Sequence, residues 1–501
     1  MLSLFRKAEQ TPQVTLNLNP QVRTVRSVET QTTPLRRTNL KMEKPDVYSW
    51  PGVYPPMQHQ RETAIFLATN PRAFCFNEQG TGKTASAIWA ADCLLEQEVI
   101  RRVLIICPLS IMQSAWQADL FKFAVHRKVD VAYGDRVKRQ AIIGGDAEFV
   151  IINYDGVEIV ADAIANGGFD LIIIDEANAY KTVTTQRWKT LNKILTPDTW
   201  LWLMTGTPAA QNPTDAYGLA KLCVPDRVPR FFGAFRDQTM LNISKFKWMP
   251  KPTASTVVFN ALQPAIRFTK KDCLDLPEVT HVFRDAPLTA QQEKYYKLLK
   301  KEMLMVADGE EISTVNAAVN LNKLLQISGG AVYSDTGSII EFDVSNRLKV
   351  ITEVIEESSQ KVLVFVPFTH TIELLSAHLR GAGISCETIN GAVPVTKRTE
   401  IFKRFQETEY PKVLIIQPQS AAHGVTLTAA DTIIWYSPVT SIETYLQANA
   451  RIDRQGQKNP MTIVHIKGSP VEARLYNMLQ SKLDTHEKLI DLYNHEVEED
   501  A

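Results

Sequence analysis

Short runs of apolar and β-branched residues recur along this chain, separated by stretches with helical character. Runs that are apolar at every position are typical of strands buried on both faces of a parallel sheet. The first series consists of AFCFN (73–77), VLIICP (103–108), FVIIN (149–153), LIIID (171–175) and WLWLMTGTP (200–208). The second consists of KVLVFVPF (361–368), CETIN (386–390), VLIIQP (413–418), TIIWYSP (432–438) and TIVHI (462–466). The pattern therefore predicts two α/β sheets.

The stretch between the two series, 226–345, is rich in helix-forming residues, as in QQEKYYKLLKKEMLMV (291–306), and has few strand runs. We predict a mostly helical insertion and connector there. It separates a first lobe at 46–225 from a second lobe at 346–483.

The two ends of the chain differ in charge. Residues 1–45 carry eight basic and three acidic residues, and residues 484–501 carry seven acidic residues and one lysine. We predict a flexible basic arm that touches DNA and an acidic C-terminal tail. The alternative for the arm is an organellar targeting peptide. The predicted location is the cytoplasm of a bacterium or of a virus-infected host cell, or the nucleus or an organelle if the arm is a targeting signal.

The overall composition limits the classes of function. The chain has 501 residues, enough for about three domains at roughly 150 residues each. Lys plus Arg and Asp plus Glu both number 55, so a nucleic-acid surface must be local. No apolar run approaches the roughly 18 residues of a membrane span, so no membrane partner is expected. The six cysteines lack CxxC spacing, which disfavours a structural zinc site.

A glycine-containing loop follows the first apolar run and precedes a helical run. Backbone N–H groups of such a loop cradle phosphates, while Lys83 reaches the β and γ phosphates and the Thr84 hydroxyl ligates Mg²⁺. Asn77 stands where the strict GxxxxGK[ST] pattern has its first glycine, and a plain tight turn is the alternative. The predicted phosphate-binding residues are Gln79, Gly80, Thr81, Gly82, Lys83 and Thr84.

Two adjacent carboxylates, Asp175 and Glu176, end the apolar run LIIID. Charged side chains cannot stay in the interior of the sheet, so they must emerge at the carboxyl edge, where α/β sheets bind ligands. Asp175 can then join the Mg²⁺ shell, and Glu176 can deprotonate the water that attacks the γ-phosphate. A solvated acid pair at the end of a strand is the alternative.

Taken together, the motifs resemble those of helicase superfamily two, and more narrowly those of its Swi/Snf branch of DNA-translocating ATPases. The motifs in chain order are HQRE (59–62), QGTGKT (79–84), DEAN (175–178), TGTPAAQNP (205–213), RFTKKDCLDLP (267–277), GVTLTAADTII (424–434) and QANARIDRQGQ (447–457). The resemblance covers about 50–480 and implies two tandem RecA-like lobes, which are parallel sheets with helices on both faces, with ATP and Mg²⁺ between them. Asn178 stands where many relatives have His, at a position tied to coupling hydrolysis with movement.

The resemblance assigns roles to several further residues. The i, i+4, i+7 spacing of Gln447, Arg451 and Arg454 would place them on one face of a helix, and the two arginines look like arginine fingers. A solvated stripe is the alternative for these three. Gly424 resembles the family's link between nucleotide and DNA. Gln60 is predicted to recognise adenine because its amide offers both a donor and an acceptor, and a polar residue on a surface helix is the alternative.

The nucleic-acid contacts are assigned by resemblance, at strand ends that suit sequence-independent phosphate binding. Packing is the alternative for each of them, and for Trp116 it is favoured. The segment Thr205, Gly206 and Thr207 is expected to sense the nucleotide state. The candidate contacts are Pro108, Leu109, Ser110, Trp116, Asn153, Tyr154, Asp155, Thr369, His370 and Gly391.

The sequence thus predicts an ATP-dependent DNA translocase that prefers duplex or branched DNA and that works alone or with protein partners in replication or repair. An RNA helicase and a strand-separating DNA helicase are the alternatives within the same mechanism. A nucleic-acid-binding clamp without turnover is an alternative from another class, and the intact Lys83, Asp175, Glu176 and Arg454 argue against it.

Overall fold

The computed structural model of this chain describes residues 48–209, 212–244, 247–274, 276–307, 314–333, 339–420 and 425–481. The predicted basic arm at 1–45, the acidic tail at 484–501 and Gly424 lie outside these residues. Within the described ranges, no helix combines the length and the apolar character needed to cross a membrane.

The strands in chain order are β1 (Arg72–Cys75), β2 (Val103–Cys107), β3 (Val129–Val131), β4 (Phe149–Asn153), β5 (Leu171–Ile174), β6 (Trp200–Met204), β7 (Met240–Ser244), β8 (Lys247–Pro250), β9 (Ala265–Ile266), β10 (Val279–Asp285), β11 (Ala331–Tyr333), β12 (Ile339–Glu341), β13 (Lys361–Phe365), β14 (Cys386–Ile389), β15 (Val413–Ile416), β16 (Ala430–Trp435) and β17 (Met461–Lys467).

The helices are α1 (Gln58–Thr69), α2 (Lys83–Glu96), α3 (Ala118–Phe123), α4 (Arg136–Ile143), α5 (Tyr154–Ile159), α6 (Ala161–Ala165), α7 (Gln186–Ile194), α8 (Ala216–Cys223), α9 (Phe232–Thr239), α10 (Ala254–Ala261), α11 (Lys270–Cys273), α12 (Ala290–Ala307), α13 (Thr314–Gly329), α14 (Ser345–Glu357), α15 (Thr369–Gly381), α16 (Val395–Glu407) and α17 (Ile442–Asn449). A further helical stretch runs from 470 to 481.

Two large sheets organise the molecule, and all of their strands are parallel. The first has the order β3-β4-β2-β5-β6-β1-β9, and the second has the order β10-β17-β16-β13-β15-β14. Each of the ten apolar runs overlaps one of these strands. The prediction of two tandem α/β lobes with helices on both faces of each sheet is therefore confirmed.

Alternation of side chains explains why the central strands are apolar at every position. In β2, Leu104 and Ile106 pack into one cluster, while Val103 and Ile105 pack into another on the opposite face of the sheet. Successive side chains of a strand point to opposite faces, and here helices cover both. The second sheet repeats the arrangement, with two clusters that divide the residues of β13.

The stretch 226–345 contains more strand than the prediction of a mostly helical insertion allows. β7 and β8 form an antiparallel hairpin, β9 joins the first sheet beside β1, and β10 joins the second sheet beside β17. Tyr296 of α12 and Leu325 of α13 pack with Val471, so the second half of this stretch is attached to the second lobe. The chain therefore crosses from one lobe to the other between β9 and β10.

A buried ion pair joins the first and last helices of the second lobe. Arg347 of α14 donates to Glu472 at 2.7 Å, and the two side chains are 3% and 0% exposed. The Glu472 carboxylate also accepts hydrogen bonds from the backbone N–H groups of Gly468 and Ser469, at 2.8 and 3.1 Å. Because every partner is buried, removal of one charge leaves the other without compensation.

We expect Glu472→Ala to destabilise the second lobe by about 3–5 kcal/mol, since Arg347 would stay buried without its counter-ion. Thermal unfolding of the full chain measures the effect as a lower transition temperature for this lobe. The control is Glu353→Ala, which removes the partner of Lys349 from an exposed ion pair on α14, the helix of Arg347. This change is expected to alter stability by less than about 1 kcal/mol. Equal effects of the two substitutions would contradict the prediction.

Candidate functional site

A cleft of about 460 Å³ lies where the carboxyl edge of the first sheet faces the second lobe. The first lobe contributes the loop after β1, the start of α2 and the residues that follow β5. The second lobe contributes the segment after α17. The predicted residues that line the cleft are Gln60, Gln79, Gly80, Gly82, Lys83, Thr84, Asp175, Glu176, Arg451 and Arg454.

The loop after β1 has the backbone that close phosphate binding requires. Gly80 and Gly82 have φ angles of 89° and 84°, in the left-handed region that favours glycine. A Cβ at Gly82 would lie 2.2 Å from the Gln60 amide nitrogen, so any side chain there would collide with α1. No described side chain caps the N-terminus of α2, which leaves its first N–H groups for a ligand.

Lys83 and Asn77 hold this loop in shape. The Lys83 ammonium donates to the carbonyl oxygens of Asn77 and Glu78, at 2.9 and 3.2 Å. The Asn77 amide donates to the Thr63 hydroxyl at 2.8 Å, and its oxygen accepts from the Phe268 N–H at 3.0 Å. The departure from the strict loop pattern thus has a physical reason, because the Asn77 side chain joins α1 to the connector.

The acid pair is held from two sides. The Trp116 indole donates to Asp175 at 2.9 Å, and the Glu176 N–H donates to the other Asp175 oxygen at 3.0 Å. The Tyr154 hydroxyl donates to the carbonyl oxygens of Asp175 and Glu176, at 2.6 and 3.2 Å. Burial raises the pKa of Asp175, and the nearby Lys83 ammonium opposes part of that rise.

Glu176 has a strained backbone and a buried carboxylate. Its backbone has a φ angle of 49°, and one carboxylate oxygen is buried without a hydrogen-bond partner among the described residues. Burial raises the pKa of Glu176 first and the Asp175 charge raises it further, while Lys83 and Arg451 oppose the rise. A strained residue with an unpaired buried oxygen is typical of a functional position.

Two arginines of the second lobe face these groups. Arg451 is 3% exposed and donates to the carbonyl oxygens of Gln447 and Val425, at 2.8 and 3.2 Å. Burial and, to a smaller extent, the neighbouring Arg454 charge lower the pKa of Arg451 to about 9, while Glu176 opposes part of the fall. Arg454 donates to the Thr426 hydroxyl at 2.9 Å, and its backbone approaches the phosphate loop so closely that a Cβ at Gly80 would lie 3.1 Å from the Arg454 Cβ.

Asn178, two residues after the acid pair, connects it with the next motif. The Asn178 amide donates to the carbonyl and the hydroxyl of Thr207, both at 3.1 Å. Burial raises the pKa of Glu443 on α17, and hydrogen bonding from the Asn178 amide opposes part of that rise. Asn178 therefore contacts the predicted sensor segment and also faces a carboxylate of the other lobe.

Comparison with known proteins assigns the family. A family model described as SNF2-related domain matches residues 59–328, which is more than half of the chain. The chain belongs to the SNF2-related family. A second model, described as helicase conserved C-terminal domain, matches residues 346–456. The first match includes every strand of the first sheet of this SNF2-related chain, and the second match includes four of the six strands of the second sheet, β13 to β16.

Relatives of this SNF2-related chain come from distant organisms. Chromodomain-helicase-DNA-binding protein 1-like of Danio rerio is 25% identical over 443 residues, covering 83% of this chain and 41% of that protein. Protein p41 of Acyrthosiphon pisum secondary endosymbiont phage 1 is 24% identical over 450 residues, covering 82% of this chain and 93% of that protein. The chain thus spans about four-tenths of the Danio rerio relative.

A search of solved structures gives the Sulfolobus solfataricus SWI2/SNF2 ATPase core in complex with dsDNA. It is 20% identical, covers 88% of this chain and 94% of that chain, and has a TM-score of 0.43.

The first-lobe candidates for nucleic-acid contact divide into two groups. Ser110 is partly exposed in the turn after β2. Asn153 is 7% exposed and accepts a hydrogen bond from Arg139 at 3.0 Å, and the Tyr154 hydroxyl is bound beneath the acid pair. Trp116 is fully buried, in line with the packing alternative. In this SNF2-related chain, the side chains of Asn153, Tyr154 and Trp116 therefore form hydrogen bonds inside the first lobe.

The second-lobe candidates lie at the carboxyl ends of β13 and β14. Thr369 is exposed at the start of α15, and the exposed Gly391 N–H donates to Gln417 at 3.2 Å. His370 is bound to Glu341 at 3.0 Å, so a carboxylate already occupies its ring nitrogen. Thr369 and Gly391 remain available at the surface of the lobe.

Several cleft residues of the SNF2-related chain were missed from the sequence. A π-helical segment, Met112–Gln117, precedes α3, and together they place Ser114, Asp119 and Phe123 on the cleft wall. Short π-helical turns are rare and often occur at functional sites, yet the sequence has no strong signal for them. The same segment turns Trp116 inward toward Asp175.

Proposed function

We propose that this chain is an ATP-dependent DNA translocase of Swi/Snf type, which hydrolyses ATP between its two lobes. One observation carries the proposal: a phosphate-binding lysine, a buried acid pair and two arginines from the other lobe line a single cleft. Membership of the SNF2-related family supports it. The Danio rerio relative is named as a helicase and DNA-binding protein, which supports DNA as the ligand.

Thr84 and Asp175 fit a magnesium ion. Both offer oxygen atoms, which are the ligands that Mg²⁺ prefers, and both line the cleft beside Lys83. Each Asp175 oxygen accepts one hydrogen bond from a fixed donor, so the carboxylate is oriented before an ion arrives. When bound, the ion supplies positive charge that offsets charge on the phosphates.

Hydrolysis then follows from the positions of the side chains. Lys83 and the N-terminus of α2 hold the phosphates, and Gln60 faces the adenine. The water oxygen bonds to the γ-phosphorus as the bond to the ADP oxygen breaks, and the water proton passes to Glu176. Arg451 and Arg454 stabilise the charge that develops on the transferred group. Since they belong to the other lobe, hydrolysis requires closure.

For the protein to travel along DNA, the nucleotide state must change the positions of the residues that contact the DNA at the carboxyl edges of the two sheets. Asn178 connects the acid pair to Thr207, which gives the γ-phosphate region a direct contact with the sensor segment. Ser110 of the first lobe and Thr369 and Gly391 of the second lie just beyond the carboxyl ends of their sheets. Small polar groups and backbone N–H groups of this kind suit phosphate contacts that ignore sequence.

Strand separation is a second candidate, favoured by the β7–β8 hairpin. Its described residues Leu241, Ile243 and Met249 are about half exposed. Proteins insert apolar side chains between base steps to unstack them, so exposed apolar residues on a hairpin are suited to that use.

Location in the cytoplasm and partners in replication or repair remain predictions.

An assay of triplex displacement beside fork unwinding decides between the two candidates. We expect the protein to displace the third strand of a triplex, because that requires travel on intact duplex, and to unwind a forked duplex weakly. Duplex or branched DNA should stimulate ATP hydrolysis more than RNA does. Lys83→Ala serves as the control without hydrolysis.

The opposite pattern would overturn the translocase proposal. Strong unwinding of a forked duplex without triplex displacement would favour the strand-separating helicase, and Leu241→Ala with Met249→Ala should then reduce unwinding. Equal stimulation by RNA and DNA would favour an RNA helicase.

A further inference from the structure

One buried lysine to which the sequence motifs assign no role contacts both lobes. Lys270 begins α11, in the connector between β9 and β10, and is 8% exposed. Its ammonium forms an ion pair with Asp453 of the second lobe and lies 3.9 Å from Glu78 of the first lobe. Its backbone N–H donates to the same Glu78 carboxylate at 2.7 Å.

The two acids belong to the two halves of the candidate ATP site. Glu78 opens the phosphate-binding loop, and Asp453 lies between Arg451 and Arg454. Both acids and Lys270 line a second inter-lobe cavity of about 260 Å³, which shares Gln79 with the nucleotide cleft. The connector lysine thus lies beside the site without facing the predicted ligand.

The ion pair fixes the part of the chain that carries the arginines. Asp453 immediately precedes Arg454, whose Cβ would lie 3.1 Å from a Cβ at Gly80. A displacement of Asp453 therefore moves Arg454 relative to the phosphate loop. Loss of the pair would leave the buried Lys270 ammonium or the partly buried Asp453 carboxylate incompletely compensated, so Lys270 favours the arrangement in which both lobes are close.

We propose that Lys270 is a positioning residue that sets the register of the second-lobe arginines against the phosphate-binding loop, by bridging Glu78 and Asp453. The bridge transmits to the connector any change in the distance between the lobes. This role rests on the proposed ATPase function, and it acts on turnover rather than on nucleotide affinity because Lys270 does not line the nucleotide cleft.

Substitution of Lys270 by methionine in the full chain tests the proposal. We expect kcat for ATP with saturating duplex DNA to fall by about 10²-fold, the cost of misplacing a reactive group by about 1 Å, with ATP affinity unchanged within a few-fold. Lys270→Arg should restore most of the rate, since it keeps the charge. Lys271→Met is the matched control, because Lys271 is exposed on the same short helix.

A double-mutant cycle with Asp453→Asn separates positioning from general damage. If the two residues act through one ion pair, Lys270→Met combined with Asp453→Asn should lower kcat no further than the worse single substitution. Additive losses, or a loss of ATP binding equal to the loss of kcat, would overturn the proposal.

Small-angle X-ray scattering gives a readout that does not depend on activity. We expect Lys270→Met and Asp453→Asn to raise the radius of gyration of the nucleotide-free chain, and Lys271→Met to leave it unchanged. If the wild-type chain lacks ATPase activity while Lys270→Met still separates the lobes, the proposed function fails and the bridge stands. If Lys270→Met matches the wild type in turnover and in scattering, the bridge is refuted and the proposed function stands.

Discussion

Replacement of Glu176 by glutamine is expected to abolish ATP turnover while ATP stays bound. The amide keeps the shape of the side chain but cannot accept a proton from the attacking water, and general-base catalysis contributes roughly 10²–10⁴-fold. The Lys83 ammonium and the N-terminus of α2, which hold the phosphates in the proposed mechanism, are unchanged by this substitution. Steady-state hydrolysis with duplex DNA and equilibrium binding of a fluorescent ATP analogue measure the two effects separately.

The matched control for this substitution is Glu158→Gln, which removes an exposed carboxylate of α5 in the same lobe. It should leave turnover and binding unchanged. Normal hydrolysis by the Glu176→Gln protein would remove Glu176 from its assigned role and with it the assignment of the whole acid pair.

Arg454→Ala should lower kcat by about 10³-fold, the effect of losing an arginine finger, with a much smaller change in ATP affinity. The guanidinium belongs to the second lobe and meets the developing charge only when the cleft closes. In the structure it is bound to the Val425 carbonyl and the Thr426 hydroxyl. Single-turnover hydrolysis beside nucleotide binding measures the separation between chemistry and affinity.

Arg474→Ala provides the comparison, since Arg474 is an exposed arginine of the same lobe. It should hydrolyse ATP at the normal rate. If Arg454→Ala also hydrolyses normally, the two-lobe mechanism is wrong, whatever the affinity for ATP.

The sequence predicted the central strands and the edge strand β14, and it missed the other edge strands of the two large sheets, β3, β9 and β10, for a physical reason. β2 and β13 lie inside their sheets and are buried along most or all of their length, which gives a continuous apolar run. β10 lies at the edge of the second sheet, and its residues VTHVFRD are partly or fully exposed and mix apolar with polar positions, so they form no continuous apolar run. β9 has only two residues and forms because β1 offers a free edge. Such strands depend on tertiary pairing rather than on their own composition.

The site shows the same division between local and long-range information. The residues of the phosphate loop follow one another in the sequence, and so do the two residues of the acid pair. The chemistry of each motif can therefore be recognised from the sequence. The indole of Trp116 reaches Asp175 across 59 positions, and Lys270 reaches Asp453 across 183 positions. No local pattern specifies such contacts. Trp116 is also apolar enough to fit the core, which concealed its role as a hydrogen-bond donor.

The five hydrophobic clusters of the described residues have a consequence for the cost of motion. Two are formed by the first lobe with the attached residues 228–266, and three by the second lobe with the attached residues 279–342. Each core therefore belongs to one lobe, while the contacts between the lobes include the polar pairs of Lys270 with Asp453 and of Asn178 with Glu443. A change in the distance between the lobes breaks these polar contacts and leaves all five clusters covered, so its cost depends on pairs such as Lys270–Asp453, which favours the closed arrangement.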